Sequence, residues 1–204
     1  MILDQTYQSQ LASMRLRIEV WMMSVAVVPT YNEADSIKAL VERLETLKEQ
    51  ISRILIVDDG SADGTEAILR SLNSIYGNIS VLQRGSKLGF GSAIRDGLME
   101  ALKEEDAKRF VQMDADLSHD PSYLPSMFNE DVDIVIGSRY VPGGGTRGWK
   151  LTRRIASRAA CFLASTLLGL PAKDPTAGFK IYSRDAARLV VEETKENRSM
   201  GAFE

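Results

Sequence analysis

Cysteine and histidine occur once each in these 204 residues, and each scarcity removes a class of chemistry. A lone Cys161 cannot close an intramolecular disulfide; with no secretory signal visible at the start, a reducing cytoplasmic setting is expected, with Cys161 serving as a small apolar side chain. A single His119 leaves little equipment for imidazole general-base catalysis. His119 itself reads either as a neighbour of a metal or as a capping and packing residue before Pro121. Long apolar runs are missing too. The longest mostly apolar run, Ala159 to Leu170, has 12 residues, short of the roughly 18 that cross a bilayer.

Acidic residues are absent from one long stretch. Ile134 to Lys173 contains no Asp or Glu over 40 residues, where an even spread of the chain's 28 acids would place about five. The same stretch carries Arg139, Arg147, Lys150, Arg153, Arg154, Arg158 and Lys173. A net charge of −3 argues against a nucleic-acid binder, so this local basic field points to a confined anionic ligand.

What is present is an alternation of short β-rich runs and longer helical patterns in a chain sized for one core. Residues 1–23 show weak periodicity and read as a disordered segment or an N-terminal extension; 24–204 read as one domain. Strands buried on both faces are expected at Val25 to Val28, Ile54 to Val57, Ile79 to Leu82, Phe110 to Met113 and Ile134 to Ile136. Helices are expected at Glu33 to Lys48, Thr65 to Leu72, Ser92 to Lys103 and Leu151 to Leu170. The alternation predicts a doubly wound, mostly parallel α/β sheet flanked by helices, which binds ligands beyond the carboxyl ends of its strands.

The loops at those ends hold the candidate chemistry. Asp58 and Asp59, followed by Gly60, can accept hydrogen bonds from a nucleoside, whereas Asp63 and Thr65 read more simply as helix caps. The turn Arg84 to Ala93 is basic and glycine-bearing and runs into a helix; it suits either a phosphate or a plain turn. It lacks the third glycine of a dinucleotide fingerprint and follows the wrong strand, which disfavours a nicotinamide-dependent dehydrogenase. Asp114 and Asp116, spaced one apart past a strand, can hold a hard divalent cation completed by substrate phosphate oxygens. Leu151 to Leu170 places apolar residues on one helix face and Lys150, Arg153, Arg154 and Arg158 on another, as in a helix that lies in a membrane interface or packs on the domain.

Taken together, PTYNE at 29–33, VDDGSADGT at 57–65, KLGFGSAI at 87–94, MDADLSHDP at 113–121, GSRY at 137–140 and DPTAGFK at 174–180 resemble the dolichyl-phosphate (polyprenyl-phosphate) mannosyltransferases, inverting family 2 glycosyltransferases with the GT-A fold. The resemblance implies transfer of mannose from GDP-mannose to a membrane-held polyprenyl or dolichyl phosphate, with Mg²⁺ or Mn²⁺ as cofactor. It implies a cytoplasmic enzyme peripheral on the cytosolic membrane face, and allows a small membrane-anchoring subunit as a further partner. By similarity Pro29, Tyr31, Glu33, Asp58, Asp59 and Lys87 line the donor site together with Asp114. Asp114 and Asp116 surround the metal, Asp116 being the stronger candidate for direct ligation. Arg139, Arg147, Arg153 and Arg154 hold the acceptor phosphate, and Asp116, Arg139 and Asp174 form the catalytic set. The rivals are a UDP-sugar (glucose or GlcNAc) transferase of the same fold and a noncatalytic nucleotide-sugar-binding module. Gly201 to Glu204 resemble the start of a further family motif, so truncation at the C-terminus is expected.

Overall fold

Six short strands pair into one sheet, most of them rich in Val and Ile, whose branched side chains suit a pleated surface. The computed structural model describes residues 24–146, 150–167, 169–170 and 172–196. The strands are β1 (Ser24–Thr30), β2 (Ile51–Asp58), β3 (Ile79–Gln83), β4 (Arg109–Gln112), β5 (Ile134–Ile136) and β6 (Lys180–Ser183). The helices are α1 (Ile37–Glu45), α2 (Thr65–Tyr76), α3 (Phe90–Ala101), α4 (Leu124–Phe128), α5 (Leu151–Leu167) and α6 (Arg184–Glu196). The sheet order is β3-β2-β1-β4-β6-β5. β1, β2, β3 and β4 run parallel, whereas β6 is antiparallel to both β4 and β5.

This is the mostly parallel α/β sheet read from the sequence, with three differences. β1 and most of β2 are buried as expected, but β3 and β5 are only partly covered because they are the two sheet edges. β6, α4 and α6 were not foreseen; β6 is four residues long and is defined by pairing to strands distant in sequence. The first helix begins at Ile37, four residues later than expected, because Glu33 N–H donates to Thr65 Oγ1 (3.0 Å) and Ala34 N–H to Asp63 Oδ2 (2.8 Å), which holds this segment as a turn.

Helices cover both faces. On one, Ile37, Leu40, Val41 and Leu44 of α1 pack with Leu69 and Leu72 of α2 and with Leu124 against Ala26, Val28, Ile54 and Ile56. On the other, Ala93, Ile94 and Leu98 of α3 and Ala186, Ala187 and Val191 of α6 pack against Val25, Val27, Leu55, Val57 and Phe110. Each such aliphatic side chain removed from water contributes about 1.5–3 kcal/mol.

The chain winds outward from β1 through β2 to β3, then crosses to the other side of β1 to add β4. The carboxyl ends of β1 and β4 therefore diverge at a topological switch point, where a crevice must open. α3 seats closely beside it: a Cβ added at Gly97 would meet Val27 Cγ1 at 2.4 Å and Val57 Cγ2 at 2.8 Å. Gly97→Ala is expected to lower stability by roughly 1–3 kcal/mol through overpacking, read as a reduced midpoint in thermal or urea unfolding; an unchanged midpoint would refute this packing.

Candidate active site

The crevice is real and gathers residues from four strand ends. A cavity of about 290 Å³ is lined by Pro29, Tyr31 and Glu33 after β1, Asp59 after β2, Lys87 and Phe90 around the start of α3, and Asp114 and Asp116 after β4. Seven of the predicted site residues thus share one wall system. Asp58 stands behind it: its carboxylate accepts from Thr30 Oγ1 (3.1 Å) and from the amides of Gly60 (3.2 Å) and Ser61 (3.0 Å), so it shapes the loop instead of facing the cavity.

On the β2–β3 side, Tyr31 and Phe90 are both partly exposed aromatic walls, and Lys87 Nζ lies 4.9 Å from the Tyr31 ring centre. Asp59 is almost completely buried, with Oδ2 accepting from Leu88 N–H at 3.2 Å. Its Oδ1 lies 3.1 Å from Arg84 Nε, within ion-pair range although not aligned as a hydrogen bond.

On the β4 side the Asp-Ala-Asp segment continues the strand's alternation. Ala115 turns into the core while Asp114 and Asp116 point the other way, Asp116 into solvent. Leu117 then takes a left-handed backbone (φ 64°), a conformation costing a non-glycine residue on the order of 1–2 kcal/mol, and its side chain packs against the core. That turn lifts Asp116 to the rim, where Oδ1 accepts from Ser118 N–H at 2.9 Å.

His119 is a structural neighbour of this pair. Its Nδ1 accepts from the Asp114 amide at 3.0 Å, so the neutral ring carries its proton on Nε2, which lies 3.6 Å from Asp114 Oδ2. Burial holds its pKa below the ordinary histidine value, with Asp114 and Asp116 pulling the other way and Arg139 adding to the depression. The ring stacks on Phe179 at 5.2 Å. Burial likewise raises Asp114, with His119 opposing and the charges of Asp116 and Glu33 reinforcing the shift.

A divalent cation fits this arrangement. Asp114 Oδ1 is buried without a hydrogen-bond partner, an expensive state for a carboxylate oxygen unless a cation or its water completes it. The absence of a side chain at Gly178 leaves the space, since a Cβ there would sit 3.3 Å from that oxygen. Among the described residues no three His, Cys, Asp or Glu side chains converge as a closed cage. Two carboxylates completed by substrate oxygens and water are the set that Mg²⁺ and Mn²⁺ accept.

Arg139 and Asp174 form one unit. Asp174 is fully buried and takes both Arg139 Nε (2.7 Å, on Oδ2) and Nη2 (2.6 Å, on Oδ1), with the Arg139 amide also on Oδ2 at 3.0 Å. Asp174 therefore orients the arginine from behind. The Cys161 thiol lies 3.3 Å from Asp174 Oδ1, so this cysteine also serves as a polar contact from α5. The guanidinium groups of Arg139 and Arg158 each lie 5.5 Å from the centre of the Tyr140 ring, whose hydroxyl donates to Ser157 Oγ at 2.7 Å. Arg158, exposed on α5 like Arg153 and Arg154, shares the Tyr140 ring with Arg139, a contact that sequence spacing could not supply. Arg147, like Trp149, residues 1–23 and the terminal motif at 201–204, lies outside the described residues.

A parallel sheet with a nucleotide-sized crevice at its switch point, an acidic pair at the β4 end and a fixed arginine beside it is the arrangement of a sugar-nucleotide transferase domain. The glycosyl transferase family 2 description matches residues 25–190, and this chain belongs to that family. Over 171 residues it is 37% identical to a polyprenol monophosphomannose synthase of Mycolicibacterium smegmatis, spanning 82% of this chain and 64% of that protein. Over 182 residues it is 35% identical to an undecaprenyl-phosphate mannosyltransferase of Micrococcus luteus, spanning 88% and 74%. Among solved structures, glucosyl-3-phosphoglycerate synthase from Mycobacterium tuberculosis in complex with UDP superposes with a TM-score of 0.57 at 18% identity, covering 86% of this chain and 65% of that one, which shows the shared fold.

Burial raises the Asp174 carboxyl, but the Arg139 side chain and amide and the Cys161 thiol outweigh it and hold the pKa below the ordinary value. Its contribution to stability is whole above the unfolded-state value of about 3.9 and is lost as pH falls through the lower folded-state value. Asp174→Asn is expected to be less stable at pH 7 and to lose less stability on acidification from pH 5 to pH 3; urea unfolding across that range would expose parallel pH slopes if the pair contributes nothing.

Proposed function

We propose that this chain carries the catalytic domain of a polyprenyl-phosphate mannosyltransferase, moving mannose from GDP-mannose to a polyprenyl or dolichyl phosphate with inversion. The observation that carries the reading is the single cavity shared by Asp59, Lys87, Asp114 and Asp116, next to the Arg139–Asp174 unit. The names of the two curated relatives support the sugar and the acceptor class.

Asp59 accepts hydrogen bonds from the nucleoside, which Tyr31 and Phe90 flank, while Lys87 faces the diphosphate. Asp114 and Asp116 would hold Mg²⁺ or Mn²⁺, which when bound offsets the charge gathering on the departing diphosphate. Arg139, kept in one orientation by Asp174, aligns the acceptor phosphate through planar donors, with Arg158 on the same Tyr140 ring. An oxygen of that phosphate attacks the anomeric carbon opposite the diphosphate; the new C–O bond forms as the bond to GDP breaks. Because a phosphate monoester is already ionised at neutral pH, the step needs alignment and charge screening and no base, in keeping with a neutral, packed His119.

A lipid-linked acceptor also accounts for α5. Its domain-facing side carries Cys161, Ser157 and Ser165, whereas Leu151, Ile155, Phe162, Leu163 and Leu167 are exposed, Phe162 by 70%. With Arg153, Arg154 and Arg158 on the same helix and Lys150 just before it, this face suits a peripheral seat on an anionic cytosolic membrane surface. No helix among the described residues is long and apolar enough to cross a membrane.

Transfer of radiolabelled sugar from a panel of nucleotide sugars to polyprenyl phosphate tests the reading: GDP-mannose is expected to be the donor, and activity with UDP-glucose or UDP-GlcNAc alone would replace it. Asp116→Ala is expected to reduce transfer by at least 100-fold, on the order of a lost electrostatic stabiliser, with unfolding unchanged because the side chain is exposed. Wild-type turnover of Asp116→Ala at limiting Mn²⁺ would remove it from the metal site. Arg139→Ala is expected to raise the acceptor KM about 10-fold or more while leaving the donor KM within about twofold, the loss of one charge-assisted contact; equal acceptor kinetics would refute its role.

A further inference from the structure

Arg84 is a deeply buried cation near the cavity that the reaction itself does not use. Its side chain is 4% exposed and its guanidinium meets three side chains on two elements at once. Nε lies 3.1 Å from Asp59 Oδ1 after β2, Nη1 lies 3.7 Å from Asp96 Oδ2 in the middle of α3, and Nη2 donates to Ser92 Oγ at 2.7 Å near the start of α3. Ser92 Oγ in turn lies 2.7 Å from the carbonyl of Leu88 and 2.8 Å from that of Gly89. The Arg84 amide donates to the Asp58 carbonyl at 3.0 Å, so backbone and side chain both bind the β2 loop. A buried guanidinium is retained only against strong compensation, and here all of its side-chain contacts are to groups that position the cavity wall.

We infer that Arg84 is the positioning residue for the nucleoside end of the site: it fixes the Asp59 carboxylate and the Leu88-Gly89 turn that meets it in the geometry that receives a nucleoside. The inference rests on the function proposed above. Asp59 is clamped from two sides, with Oδ1 turned to Arg84 and Oδ2 receiving Leu88 N–H. Oδ2 is thus the oxygen whose second lone pair is left for a donor on the ligand. Through Ser92 the same guanidinium holds the Leu88 and Gly89 carbonyls, and so the turn whose Leu88 amide meets Asp59. Arg84 touches neither Asp114 nor Asp116, so its effect should be confined to the base and ribose side of the cavity.

Titration calorimetry of the whole chain with GDP, and separately with inorganic pyrophosphate in the presence of Mn²⁺, separates positioning from loss of fold. Arg84→Met is expected to weaken GDP binding at least 10-fold while Mn²⁺-pyrophosphate binding stays within twofold, and Arg84→Lys, which keeps the charge but cannot reach all three partners, is expected to fall between the two. Ser92→Ala, which removes one partner without burying an unpaired charge, is expected to weaken GDP binding about threefold in the same selective manner and decides the matter if Arg84→Met does not fold. GDP affinity within twofold of wild type in Arg84→Met, or in Ser92→Ala where that variant is decisive, overturns the inference, as does an equal loss for GDP and pyrophosphate. If the wild-type chain binds neither GDP nor UDP, the proposed function fails first and the inference with it.

Discussion

Parallel pairing of β1 with β2 on one side and β4 on the other is the constraint from which the site follows. Because these strands point the same way, Thr30, Asp58 and Gln112 end at one edge, and the loops beyond them have nowhere to go except toward each other. The reversal in winding direction at β1 keeps α-helical cover away from that edge and leaves a crevice. Carboxylates from separate stretches of chain, Asp59, Asp114 and Asp116, then meet around one cavity without any local sequence signal that they belong together.

Such a concentration of negative charge is costly, and the protein handles its two ends differently. At the Asp59 end the counter-charge is internal: Arg84 is built in beside Asp59 and Asp96. At the Asp114 end one carboxylate oxygen is buried without a hydrogen-bond partner beside a neutral histidine. In the proposed function the first end receives the nucleoside and the second would take a cation. Beyond it, Asp174 serves Arg139 as Arg84 serves Asp59, a fully buried partner that spends its hydrogen bonds on orientation.

α5 stands apart in its packing. Only Cys161 among its described residues is buried, and the large apolar side chains face away from the sheet. Its contacts with the domain run through Cys161 to Asp174 and through Ser157 to Tyr140, so a helix with a lipid-compatible outer face touches the residues flanking Arg139.

The order and type of the central elements were legible in the sequence because β1, β2 and β4 carry short apolar stretches separated by amphipathic helices, and a buried parallel sheet demands that pattern. The Asp-x-Asp pair and the strand-end acids were legible for the same reason: polar groups just past a buried strand must emerge at its rim. Sequence could not reveal β6, whose four residues become a strand only by pairing between β4 and β5, nor that Asp58 turns inward while Asp59 faces the cavity. It could not separate Arg158 from its basic neighbours, or show that Arg84 and Asp174 act on other side chains. Local order is set by hydrophobic period and turn chemistry, which a chain carries within a few residues; the pairing of charges dozens of residues apart exists only after the sheet has chosen its strand order.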